Sequence, residues 1–268
     1  MFTLTAENYY SREANEAYLS STQYKSFMDC EARALAELRG EYEPEEKESY
    51  LVGNYVHSWA SNELDKFVAE HPEIISSRGA TKGELKAPFR QAQEMIDVLE
   101  ADPKAMFYLQ GRSEVPITGK IDGVPWKGKA DKINDKLNYI LDLKTTKSIN
   151  EFSWSTKLSK YVSFIEQYDY FIQVAIYSEL ESQMRGGCDW KDFYMLAISK
   201  EKYPDHALID CTDHDRIAAE LEQIKANQGR IVQIKKGEIE PIRCEHCAYR
   251  RATKKIDKPI WYGELTEI

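Results

Sequence analysis

The sequence predicts an α/β fold in which a mixed central sheet is flanked by helices, with extra helices on its N-terminal side. Three observations predict it. Apolar residues at helical spacing dominate the first hundred positions, the pattern changes to three alternating segments between residues 107 and 145, and a helical stretch followed by further strands comes after.

Residues 22–39 carry Tyr24, Phe27, Met28, Ala32, Leu35 and Leu38 on one stripe, behind a Ser20-Ser21-Thr22 cap. Residues 41–49 are acidic and contain a proline, so they read as a loop. Residues 50–70 form a second helix with Val52, Val56, Trp59, Ala60, Leu64 and Phe67 inward, and residues 87–101 form a third. Strands are expected over residues 107–117, Val124–Asn134 and residues 139–145. A helix over residues 166–184 closes at Gly186-Gly187. Strand Asp192–Ser199 and a shorter run over 207–211 follow. A last amphipathic helix spans 213–235, and the tail from residue 237 to 268 holds Cys244 and Cys247. These elements read as one domain. Residues 20–105 are its helical part, 106–211 its sheet and long helix, and 212–268 its last helix and tail.

A chain of 268 residues can bury a sizeable core. Its apolar runs are too short to span a bilayer, and residues 1–15 lack the basic and apolar blocks of a signal peptide, so a cytoplasmic protein without membrane contact is expected. Five scattered cysteines, an odd number, argue against a secreted disulfide scaffold. The net charge of −9 disfavours non-specific nucleic-acid binding. A local basic groove remains open, because Lys127, Lys129, Lys132, Lys144 and Lys147 cluster around one hairpin, with Lys157 and Lys160 soon after. Lys235, Lys236, Arg250, Arg251, Lys254 and Lys255 form a second concentration.

That hairpin carries the chemistry. Residues 135–138 make a polar turn between Val124–Asn134 and the return strand. Side chains alternate, so Ile140, Asp142 and Lys144 share one face and Tyr139, Leu141 and Leu143 the other. A symmetric turn sets Asp131 directly opposite Asp142. Two facing carboxylates repel, and a divalent cation between them removes that cost. Lys144 adds a positive charge on the same face, an arrangement suited to phosphodiester hydrolysis. A plain solvated face is the alternative reading of the hairpin taken alone.

Four motifs in order change that balance: GNYVHSWA with His57, GKADKI with Asp131, LDLKTTKS with Asp142 and Lys144, and QVAIYSEL with Gln173 and Tyr177. Together they resemble the PD-(D/E)XK nuclease superfamily, and within it the RecE-type (exonuclease VIII-like) and RecB-type nucleases, over residues 20 to about 255. The resemblance implies a restriction-endonuclease-like core in which Asp131, Asp142, His57 and the backbone carbonyl of Leu143 ligate Mg2+ or Mn2+. Lys144 orients or deprotonates the attacking water. Glu114, in RSEVPITG, falls where related nucleases place a glutamate near the metal, and pairing with a neighbouring lysine is its alternative. Gln173 and Tyr177 are implied to touch the DNA backbone or support the site. Thr145 and Thr146 either hydrogen-bond phosphate or favour β structure, and Lys129 belongs to the basic channel.

Cys30 with the C-x-x-C of Cys244 and Cys247 resembles the layout of RecB-type iron–sulfur nucleases. Such a cluster takes four thiolates. No cysteine follows Cys247, and Cys188 and Cys211 lie beside strands, so a degenerate site without an iron–sulfur cluster is expected. A zinc site that adds His246 is awkward within one tight turn.

The resemblance implies a metal-dependent exonuclease that digests linear double-stranded DNA from 5′ ends. Its implied partners are duplex DNA ends, a single-strand annealing protein of RecT type and further copies of the chain. A RecB-like single-strand nuclease or endonuclease is the alternative within enzymes. A DNA-binding protein that kept the fold and lost activity is the alternative outside them.

Overall fold

The computed structural model describes residues 3–45, 48–256, 259 and 261–263. Some of the acidic loop (46 and 47) and of the C-terminal tail (257, 258, 260 and 264–268) lies outside the described residues. The chain divides into two compact units, Met1–Ser21 with Glu45–Gly229, and Thr22–Pro44 with Arg230–Ile268.

The first unit is built on a five-stranded sheet: β1 (Arg112–Ile121), β2 (Val124–Asn134), β3 (Tyr139–Thr146), β6 (Asp192–Ser199) and β7 (His206–Asp210), side by side in that order. Neighbours pair antiparallel except β3 and β6, which run parallel. A parallel pair needs a crossover, and the long helix α9 (Tyr170–Met184) lies within it. Between β3 and α9 come a two-stranded hairpin, β4 (Ser153–Ser155) with β5 (Lys160–Val162), and the short helix α8 (Phe164–Gln167). The alternation of β3 is as the sequence implies. Tyr139, Leu141 and Leu143 join a core with Val52, Tyr55 and Val56 of α4 (Glu48–Ala60) and with Phe89, Met95, Ile96 and Leu99 of α6 (Ala87–Ala101). The opposite face is covered as well. Helix α9 packs on β1 and β2 there, which explains why it is buried nearly all round.

Several elements differ from the sequence reading. The helix expected over 22–39 is two, α2 (Ser21–Asp29) and α3 (Glu31–Arg39), because Cys30 is extended (φ −156°, ψ 105°) and stands at the N-cap of α3. The break leaves Met28 exposed instead of inward. The helix expected over 50–70 is α4 and α5 (Leu64–Glu70), separated where Asn62 takes φ 62°. The strand expected from residue 107 starts at Arg112. The preceding α7 (Pro103–Tyr108) is nucleated by Asp102, whose carboxylate caps the N–H groups of Lys104 and Ala105, with proline at its first position. The helix expected over 166–184 is α8 and α9, with Asp169 at φ 49° between them. Helix α1 (Arg12–Ala17), the β4–β5 hairpin and α11 (Ala248–Thr253) are additions. Helix α10 (His214–Lys236) matches expectation closely; its residues to Gly229 belong to the first unit.

Two lysines of the expected basic channel face inward. Lys127 is 1% exposed and donates to Tyr9 O and to Asn15 Oδ1. Lys132 is 4% exposed and donates to Ala60 O and Ser113 Oγ, each at 2.6 Å. Ladder geometry sends these side chains under α1 and α4, where their nitrogens satisfy buried acceptors.

In the second unit Cys30, Cys244 and Cys247 converge, with sulfurs within 4.8 Å of one another. Cys30 and Cys247 are buried, 3.9 Å apart, and Cys247 caps α11 by accepting from Arg250 N. Burial works against the Cys244 thiolate, but hydrogen bonds from Cys247 and from backbone N–H groups bring its pKa down to about 6. No fourth Cys, His, Asp or Glu completes the group among the described residues.

Candidate active site

Asp131 sits where two ladders break. On the β1 side Ser113 pairs with Lys132 and Val115 with Ala130, while the Glu114–Asp131 position between them is skipped. Glu114 takes φ 50° there, a left-handed conformation that costs a residue with a Cβ roughly 1–3 kcal/mol and clusters at functional sites. On the β3 side the ladder runs Asn134–Tyr139, Ile133–Ile140, Lys132–Leu141 and stops. That is the symmetric register expected, and Asp131–Asp142 is its next position. The strands have diverged at that point, and Asp131 Oδ2 accepts from the backbone N–H of Leu143 at 2.7 Å. That bond favours the Asp131 charge, while the same charge still raises the pKa of Asp142.

Helix α4 brings His57 to the opening, with Nδ1 3.4 Å from Asp131 Oδ2. Its approach to β3 is close, since a Cβ at Gly53 would lie 3.3 Å from Thr145 Oγ1. His57, Glu114 and Asp131 each offer a ligand atom within 4.8 Å of the others. Glu114 also pairs with Lys129.

Asp142 is almost wholly buried. Its Oδ1 accepts from Gln173 Nε2 at 2.6 Å. Its Oδ2 pairs with Lys144 Nζ at 2.7 Å. Gln173 Oε1 in turn accepts from Lys144 Nζ at 3.0 Å, so one amide spans both groups. The Lys144 ammonium lies 4.8 Å from the ring centre of Tyr170. The motif reading missed Tyr170, although its place three residues before Gln173 puts it on the same helix face.

Electrostatics push the two aspartates apart. Burial raises the pKa of Asp142, and the Asp131 charge adds to this against the opposing pull of Lys144. Burial would raise Asp131 too, but His57, Lys144 and the Leu143 N–H outweigh it and the net shift is downward. Burial opposes the charges of His57 and Lys144. Asp131 nonetheless raises His57, and Asp142 with Asp131 raises Lys144.

The remaining expected residues make contacts of their own. Tyr177 is buried and accepts from the Lys129 N–H at 3.3 Å, with its ring against Gly128. A Cβ at Gly128 would come 2.6 Å from that ring, so glycine permits the contact. Thr146 is buried and donates to Ser148 O, and Thr145 lies against α4. Lys129 is engaged with Glu114 and lies 4.7 Å from the Tyr10 ring centre.

A cation fits this donor set: one imidazole and two carboxylates converge, while Asp142, expected as a ligand beside them, is not of that group and is engaged with Lys144 and Gln173. Among known proteins, a family profile described as "PDDEXK-like domain of unknown function (DUF3799)" matches residues 20–253. The crystal structure of a candidate exonuclease from Eubacterium rectale is similar over 99% of both chains, with 37% identity and a TM-score of 0.91. The structure of SSO0001 covers 67% of this chain and 86% of its own at 15% identity, and its TM-score of 0.27 carries no argument. No match was found among the curated proteins.

Proposed function

The chain belongs to the PDDEXK-like domain family DUF3799, and from that premise we propose that it is a divalent-metal-dependent deoxyribonuclease, an exonuclease of RecE type acting on linear DNA. The observation that carries this reading is the meeting of His57, Glu114 and Asp131, each offering a ligand atom within 4.8 Å of the others. Asp131, Asp142 and His57 would hold Mg2+ or Mn2+, with Glu114 joining them. The Leu143 carbonyl would join as well, since a strand residue presents its N–H and C=O to the same side. When bound, the cation would supply Lewis acidity and a more acidic water.

The protein's own groups do the rest. Lys144, kept protonated by Asp142 and Asp131, aligns the attacking water and offsets charge gathering on the phosphate as the P–O bond breaks. Gln173 fixes the Asp142 carboxylate and the Lys144 ammonium in one geometry. The likeness to a candidate exonuclease supports attack at chain ends. The 5′ polarity, the duplex preference, the RecT-type annealing partner and a ring-like homo-oligomer come from the family resemblance alone.

Digestion of linear duplex, linear single strands and closed circular duplex in Mg2+ and in EDTA tests the proposal. Mg2+-dependent loss of the linear duplex with the circle intact is expected. Loss of the circle would favour the endonuclease reading. Inactivity on every substrate, with Mn2+ also tried, would favour a DNA-binding protein that lost catalysis.

A further inference from the structure

The β4–β5 hairpin displays an aromatic pair that the site does not use. Trp154 and Tyr161 face each other across the two strands, with ring centres 5.4 Å apart and planes at 75°. Trp154 is 54% exposed and Tyr161 69%. The hairpin is anchored by its other face, where Val162 is buried, and by Phe164 just beyond it, and α8 packs on both strands. A cross-strand aromatic pair also stabilises a short hairpin. That role alone does not require both rings to stand in solvent, nor Phe152 and Leu158 beside them.

Charge and position indicate what the pair meets. In a chain of net charge −9, residues 152–162 carry Lys157 and Lys160 and no acidic residue; Lys157 is paired with Asp169. Five residues join Thr146, the end of the strand bearing Asp142 and Lys144, to Phe152. On the far side, Phe164 and Tyr168 reach Tyr170, the ring that faces Lys144. Exposed aromatics interleaved with lysines, next to a phosphodiester site, match the composition of a stacking platform for unpaired bases.

We propose that Trp154 and Tyr161 stack on unpaired nucleobases of the DNA strand engaged by the active site. This rests on the nuclease reading above and names the feature of the substrate that is read: bases out of the duplex, from a single strand or from a frayed end.

Binding in EDTA, followed by fluorescence anisotropy, tests it without cleavage. The probes are a twelve-nucleotide oligothymidylate, an abasic backbone of the same length, and duplexes with blunt or mismatched ends. Base stacking of this kind predicts that the full-length protein binds oligothymidylate at least about fivefold more tightly than the abasic strand. Trp154→Ala/Tyr161→Ala should erase that ratio. The double variant Trp154→Phe/Tyr161→Phe, which keeps two ring faces, should retain most of it and controls for misfolding. Preference for mismatched over blunt ends, lost in the same alanine variant, would identify the frayed end as a source. Equal binding of oligothymidylate and abasic strand by the wild type, no binding of either, or a ratio that survives the alanine substitutions would overturn the proposal. Cleavage in Mg2+ is scored separately. Base discrimination without cleavage would remove the nuclease reading and leave the platform, and cleavage without discrimination would do the reverse.

Discussion

Replacing Gln173 with leucine is the sharpest structural test of the site, because one amide serves both the buried Asp142 and the partly buried Lys144. The substitution removes the 2.6 Å bond to Asp142 Oδ1 and the 3.0 Å bond from Lys144 Nζ. A hydrogen bond to a charged group contributes roughly 1.5–3 kcal/mol net. The 2.7 Å ion pair between Asp142 Oδ2 and Lys144 Nζ remains for both partners. The expected loss is therefore about 3 kcal/mol, and a shift in Tm of roughly 6–12 °C follows for a chain of this size. Leucine fills similar volume, so a cavity adds little. Urea and thermal unfolding of wild type and variant, without added metal, give the number. A Gln173→Leu protein within about 0.5 kcal/mol of wild type would refute the reasoning and make Gln173 a mere neighbour of the pair.

Gly128→Ala should cost about 1–3 kcal/mol by driving a methyl into the Tyr177 ring. Unfolding of Gly128→Ala and Gly128→Ala/Tyr177→Leu should show most of the cost relieved in the pair. Lys127 is buried without an acidic partner among the described residues, and burial lowers its pKa to about 8. Between that value and the ordinary lysine range the unfolded chain binds a proton that the native state has released, so stability should rise with pH, by about 2 kcal/mol from pH 7.5 to 9.5. Urea midpoints across that window should show the rise in wild type and none of it in Lys127→Met; identical slopes would count against the assignment. The three-thiol group in the second unit should not retain an iron–sulfur cluster, and visible absorption with stoichiometric iron after anaerobic purification would contradict this.

The register of the hairpin bearing Asp131 and Asp142 was legible because a four-residue polar turn and period-two alternation leave little freedom: Asn134 pairs with Tyr139 and the count runs on to Lys132–Leu141. What the pattern could not show is that the two strands diverge at the very next position. There the Asp131 carboxylate captures the Leu143 N–H, a tertiary effect. Gln173 was found by its motif, but its double engagement required the helix to be placed. The lysines illustrate the opposite failure. Lys127 and Lys132 look like surface charge in sequence, and only packing shows their nitrogens bonded to Tyr9 O, Asn15, Ala60 O and Ser113. Helix breaks at Cys30 and Asn62 escaped because apolar spacing continues across them. The β4–β5 hairpin escaped because three-residue strands are too short to display a period.

The central claim is that Asp142 and Lys144 perform metal-dependent phosphodiester hydrolysis. The most direct measurement is the turnover of a linear duplex by wild type, Asp142→Asn and Lys144→Ala in Mg2+ and in EDTA, with DNA affinity measured alongside. Asp142→Asn is nearly isosteric, so it should fold and bind DNA while cleavage disappears. Lys144→Ala should lose turnover far more than affinity. Mg2+-dependent cleavage that survives Asp142→Asn, or a Lys144→Ala defect confined to binding, would contradict the account.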